Sequence, residues 1–196
     1  MRILILASLA SLTLAQPALA KQRRVVAPSG EQAASAAKAS AEAGAYLDAI
    51  ARLDDRPEGP QLNAVIALNP AATAEAVALA NTGVLRGRTV LVKDNIETRE
   101  LPTTAGSLAL ADNRTGRDAP LVTRMRAAGG VVLGKTNLSE WANMRDNRSS
   151  SGWSAVGGQT RNPHAIDRNP CGSSSGSGAA VAAGMAWAAI GTETDG

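Results

Sequence analysis

The chain has 196 residues, 44% hydrophobic and 19% charged, a balance that excludes a disordered polyelectrolyte and fits a globular domain of ordinary size. Its 20 basic and 17 acidic side chains leave a net charge of only +3, with no arginine-rich stripe interleaved with aromatics, so nothing points to a nucleic-acid partner. With no Phe, one Tyr and three Trp, the core must rely on small side chains and closely approaching helices.

Residues 1–20, MRILILASLASLTLAQPALA, have the layout of a secretory signal: an early Arg, an apolar run, and Ala-Leu-Ala as a small-residue cleavage site. The run is shorter than the roughly 20 residues a membrane span needs. Cleavage after Ala20 removes one Arg and no acid, leaving +2. The expected product is an exported, periplasmic or secreted protein with no membrane attachment after processing. Cys171 is the only cysteine, so an exported chain has no internal disulfide to lean on. It lies between Pro170 and Gly172 among serines, with no basic sequence neighbour to activate a thiol.

Residues 21–30 are basic and contain Pro and Gly, the composition of a flexible mature N-terminus. An alanine-rich helix is predicted over 31–53, with Tyr46, Leu47, Ile50 and Leu53 on its buried face. RPEGP (56–60) ends it. A strand is predicted over 62–69 and a second helix over 72–80. GRTVLVKDN (87–95) carries the continuous apolar run of a strand covered on both faces. A loop with Pro102 and Gly106 leads to a helix over 118–130, where Asp118 can cap, Pro120 suits the first turn and Gly129 the end. Leu121, Val122 and Met125 share one of its faces. VVLGKTN (131–137) is a second buried strand. Strand, helix, strand in this order make a βαβ unit, so the class is α/β with a largely parallel sheet. Residues 143–171 are polar and irregular, a length of loop that is usually functional or disordered. Residues 179–190, apolar all round, are predicted to form a helix buried on every side.

Three places can carry chemistry. Lys93 ends an apolar strand, where parallel α/β sheets gather their functional groups; a lysine desolvated there can lose its proton and act as a base. The bland alternative is a strand-end lysine reaching solvent or pairing with Asp94. Residues 172–178, GSSSGSG, open onto a helix N-terminus whose N–H groups suit an anion or an oxygen that becomes anionic. The same residues satisfy Gly-x-Ser-x-Gly with Ser174 central, the nucleophile elbow of α/β-hydrolases. That mechanism needs a later histidine, yet the only one, His164, precedes the serine. Finally, IGTETDG (190–196) is a turn whose successive backbone N–H groups can line an oxyanion hole.

In this order and spacing, VLVKDN, GKTNLSEWAN, NPCGSSSGSGAAVAAG and GTETDG resemble the amidase signature family, most closely its peptide-amidase-like branch. The resemblance runs from about Tyr46 to the end. It implies a layered α/β/α fold with a central mixed, largely parallel sheet, of which 31–196 would be the N-terminal part of a single domain. It implies amide hydrolysis through an acyl-enzyme, without cofactor or metal, on a small amide or peptide C-terminal amide. The family's triad is a lysine, a serine held by a cis peptide bond, and a nucleophilic serine. Lys93 matches the first and Ser173 the second, with Gly172 and Ser174 as loop support. The nucleophile would be the residue after Gly196, with Thr194, Asp195 and Gly196 forming the oxyanion turn. On that reading the segment alone is inactive and poorly stable. Ser175 and Asp195 each replace a usual glycine, differences that fit the peptide-amidase-like branch. Two other readings stay open from the residues: an α/β-hydrolase-type esterase using Ser174, and an exported protein binding an anion at the Gly/Ser loop.

Overall fold

The computed structural model describes residues 28–193 apart from Arg56; the expected signal segment and most of the expected flexible N-terminus lie outside the described residues. Helix α1 spans Gly30–Ile50. Ser29 starts it with a capping box: its hydroxyl accepts the Gln32 N–H at 3.3 Å, and its own N–H donates to Gln32 Oε1 at 3.0 Å. The helix runs on as a π-helical turn, Ala51–Asp55. There buried Asp54 accepts the N–H groups of Ala64 (2.7 Å) and Val65 (2.9 Å) and so fixes the approach to the first strand.

Strand β1 is Val65–Leu68, helix α2 Ala72–Leu79, strand β2 Thr89–Lys93, helix α3 Pro120–Ala127 and strand β3 Val131–Thr136. A short hairpin, β4 (Trp153–Ser154) with β5 (Gly158–Gln159), gives structure to the polar 143–171 stretch. Helix α4 is Ser175–Ala182 and strand β6 is Ala188–Ile190. The main sheet has the order β1-β3-β2-β6, with β2 parallel to β3 and β6, and β1 antiparallel on the edge. It is the expected mixed, largely parallel sheet.

Helices cover both faces. On one, Leu91, Val131 and Leu133 pack against alanines of α1, α2 and α4 (Ala43, Ala76, Ala180), with Ile50 and Leu62. On the other, Val92, Val132 and Ile96 pack against Val122, Leu121 and Met125 of α3. Ile50 is buried, and Tyr46, Leu47 and Leu53 pack against the first cluster. Alanines let these helices come close, which is how a chain without phenylalanine fills its interior.

Two local expectations are corrected. Asp118 does not cap α3; Ala119 occupies that position without a side-chain bond. Asp118 instead accepts the backbone N–H of Arg99 and the Nε–H of Arg126, both at 3.0 Å, the second a charge-assisted bond. The helix predicted over 179–190 begins earlier, at Ser175, and stops at Ala182. Gly184, at φ +71°, ends it; its N–H donates to Val181 O (3.1 Å) and that of Met185 to Ala180 O (2.8 Å), the two bonds of a Schellman cap. Residues 188–190 then gain a parallel ladder beside β2. Apolar content was the same in both conformations, so hydropathy hid the break.

One irregularity decides where side chains point. Val90 pairs with Val132, but Leu91 pairs with Gly134, a bulge on β3. Regular alternation would put Lys135 on the face of Val131 and Leu133. After the bulge Lys135 meets Pro102 and Thr103 on the α3 side, while Thr136 meets Ser177 of α4 at 2.7 Å.

Candidate active site

Lys93 is fully buried at the end of β2. Its Nζ lies 2.8 Å from Ser173 Oγ and 2.7 Å from Thr192 Oγ1. Removal from water pushes its ammonium pKa below the ordinary lysine value, with the Glu193 carboxylate pulling partly the other way. The buried lysine that pairs with Asp94 is a different one. Lys135 Nζ is 3.0 Å from Asp94 Oδ1, both groups withdrawn from solvent, and Asp94 Oδ2 accepts the Thr104 N–H (3.0 Å) and hydroxyl. Adjacent residues 93 and 94 thus serve opposite faces of the sheet.

Ser173 comes from the loop that enters α4, and the Gly172–Ser173 peptide bond is cis. The Ser173 carbonyl accepts the Ser139 N–H at 3.0 Å. Ser174 Oγ donates to the Thr192 carbonyl and accepts the Thr192 N–H, each at 3.1 Å. It therefore ties the Gly/Ser loop to the chain leaving β6. Ser175 is buried and its hydroxyl donates to the Cys171 carbonyl. Together with Asn143, Cys171, Gly172 and Glu193 these residues line an open cleft of about 310 Å³. Thr194, Asp195 and Gly196 lie outside the described residues. His164 is exposed, its N–H bonded to Asn162 Oδ1, and does not line the cleft.

The loop can take this path because Gly176 has no side chain. A Cβ there would lie 2.3 Å from Ala64 O and 2.6 Å from Asn137 O; the Gly176 N–H donates to that Asn137 carbonyl at 3.0 Å. Asn137 is a hub. Its Nδ2 donates to Asn63 O, Gly158 O and Thr160 Oγ1, and its Oδ1 accepts from Ser154 and Leu138 N–H. The GKTNLSEWAN stretch thus works as a scaffold: Lys135 neutralises Asp94, Asn137 gathers the loops, and Ser139 holds Ser173.

Sequence reasoning brought Lys93 and Ser173 together only through resemblance. Thr192, Asn95, Lys135 and Asn137 were not singled out. Thr192 belongs to the recognised turn, which was the one available signal; contacts at separations of 80 and 99 residues leave no trace in local pattern. Among the described residues no cluster of three His, Cys, Asp or Glu is placed to hold a metal.

This geometry has company among known proteins. The sequence model of the amidase family matches residues 44–196. A probable amidase of Arabidopsis thaliana is 46% identical over 161 residues, covering 77% of this chain and 30% of the relative. Native peptide amidase from Stenotrophomonas maltophilia superposes with a TM-score of 0.78 at 54% identity, covering 84% of this chain and 35% of that one. The peptide amidase PAM in complex with the competitive inhibitor chymostatin gives 0.77 at 55% identity, with the same coverage. The chain spans about a third of the length of these relatives. By its sequence and fold, the chain belongs to the amidase family.

Proposed function

We propose that this chain is part of a longer enzyme that hydrolyses amides through an acyl-enzyme, with Lys93 as base and Ser173 as the relay between base and nucleophile. Neutral Lys93 takes the proton of Ser173 Oγ as Ser173 takes that of the nucleophilic serine, which the family pattern puts immediately after Gly196. That serine bonds to the substrate carbonyl carbon, and backbone N–H groups of the 194–196 turn stabilise the oxyanion. The proton held by the relay passes to the departing nitrogen as the C–N bond breaks. Water then attacks the ester along the same relay and releases the acid.

The single observation behind this reading is the fully buried Lys93 amine 2.8 Å from Ser173 Oγ. A fixed contact is what proton transfer needs, and burial favours the neutral amine. Similarity to peptide amidase, with an inhibitor in one of its structures, supports a peptide C-terminal amide as the substrate class. The elbow reading fares worse, since the Ser174 hydroxyl is spent on both polar backbone groups of Thr192.

Fluorophosphonate labelling of the full-length protein, followed by peptide mapping, tests this. The adduct is expected on the serine after Gly196, and Lys93→Ala should suppress it. An adduct on Ser174 would establish the elbow reading instead, and no adduct at all would favour a binding protein.

A further inference from the structure

Building on that reading, we infer that Thr192 and Asn95 are positioning residues that set the direction of the proton relay, by holding the lone pair of Lys93 toward Ser173. A neutral amine has two N–H groups and one lone pair. To act as a base on Ser173, Lys93 must turn its lone pair to Ser173 Oγ and place its hydrogens elsewhere. Among the described residues, the hydroxyls in hydrogen-bond contact with Nζ are those of Ser173 and Thr192. Left alone, the pair is ambiguous. Thr192 could donate into the lone pair, leaving Lys93 to donate to Ser173 with the relay reversed.

Asn95 holds the Thr192 hydroxyl oxygen in place from the other side. Its Nδ2 donates to Thr192 Oγ1 at 3.2 Å. A hydroxyl has two acceptor sites and one hydrogen. With one site filled by the Asn95 amide, the other is open to a Lys93 N–H, and in that arrangement the amine's lone pair is left for Ser173. The Thr192 main chain cannot drift, because Ser174 holds both its N–H and its carbonyl. Ser174, Thr192 and Asn95 therefore act on the reaction through Lys93. Residues 95 and 192 are 97 apart in sequence, each following a strand of the same parallel pair, β2 and β6; the sheet brings them together.

The test uses the full-length enzyme, a peptide amide substrate, and the variants Lys93→Ala, Thr192→Val, Thr192→Ser and Asn95→Leu. Thr192→Val should lower kcat about 10- to 100-fold, reaching at most the lower end of the roughly 10²- to 10⁴-fold that a general base contributes, with KM nearly unchanged. It should also move the acid limb of the kcat–pH profile to lower pH, since the protonated amine loses an acceptor. Thr192→Ser should restore both. Asn95→Leu should lower kcat in the wild-type background and do nothing further in Thr192→Val, because it acts only through that hydroxyl. Wild-type kcat and profile in Thr192→Val, or an Asn95→Leu penalty that persists without the Thr192 hydroxyl, would overturn the inference while leaving the triad intact. Turnover surviving Lys93→Ala would instead bring down the triad reading and this inference with it.

Discussion

At the scale of single residues, the decisive feature is an amine deprived of water. Lys93 has no exposed surface, and desolvation, the largest influence on it, disfavours its charged form. The proposed base role needs the neutral form, so on that proposal activity falls as pH drops through its folded-state pKa. In the full-length enzyme the acid limb of kcat/KM is expected below the ordinary lysine value of about 10.4. Lys93→Arg, which stays protonated, should cost at least about 100-fold. A limb at or above the ordinary value would contradict the assignment. The linked effect on stability has a definite sign. The unfolded chain holds the proton across the interval between the two pKa values, so this residue's contribution makes stability rise with pH there.

At the scale of elements, α4 illustrates how a short helix becomes a positioning device. Its first turn lies directly against the backbone of residues 64 and 137, with Gly176 at the contact. Gly176→Val should destabilise the full-length protein by about 2–3 kcal/mol, the upper part of the usual range for overpacking, seen as a lower urea midpoint. It should reduce turnover as well, since α4 carries the Ser173 loop. An unchanged midpoint would mean that the helix can move freely. The elements were unevenly legible in sequence. The predicted spans for α2, α3, β2 and β3 match the observed ones within a few residues, because Pro120 at the first turn, Gly129 past the helix end and continuous apolar runs are local. The 179–190 stretch misled, because Gly184 stops the helix in a segment whose alanines suit helix and strand burial alike.

At the scale of the whole molecule, the sheet separates two tasks. One face carries Lys93, Ser173 and Thr192; the other carries Asp94 and Lys135, which brace the loop at 102–104. Removal from water lowers the Lys135 pKa, and the Asp94 charge opposes that shift. Breaking the pair should be worse than deleting it. Lys135→Met leaves a buried carboxylate unpaired and should destabilise the full-length protein by about 3–5 kcal/mol, whereas Lys135→Met with Asp94→Asn should recover most of that. Chemical denaturation of the two variants decides it, and equal losses would show that the pair carries no coupling.

Sequence alone determined the α/β class, the βαβ core and Lys93 as a candidate, because periodicity and punctuation are properties of neighbouring positions; Ser173 became a candidate only through the resemblance of the ordered motifs to the amidase signature family. Tertiary structure decided which lysine faces the serines and which faces Asp94. A single bulge in β3 sets that choice, by moving Lys135 to the far face of the sheet. It also decided the partnership of Thr192, Asn95 and Ser174, groups from three separate segments. Their meeting depends on strand order and register, physical facts that exist only once the sheet has formed.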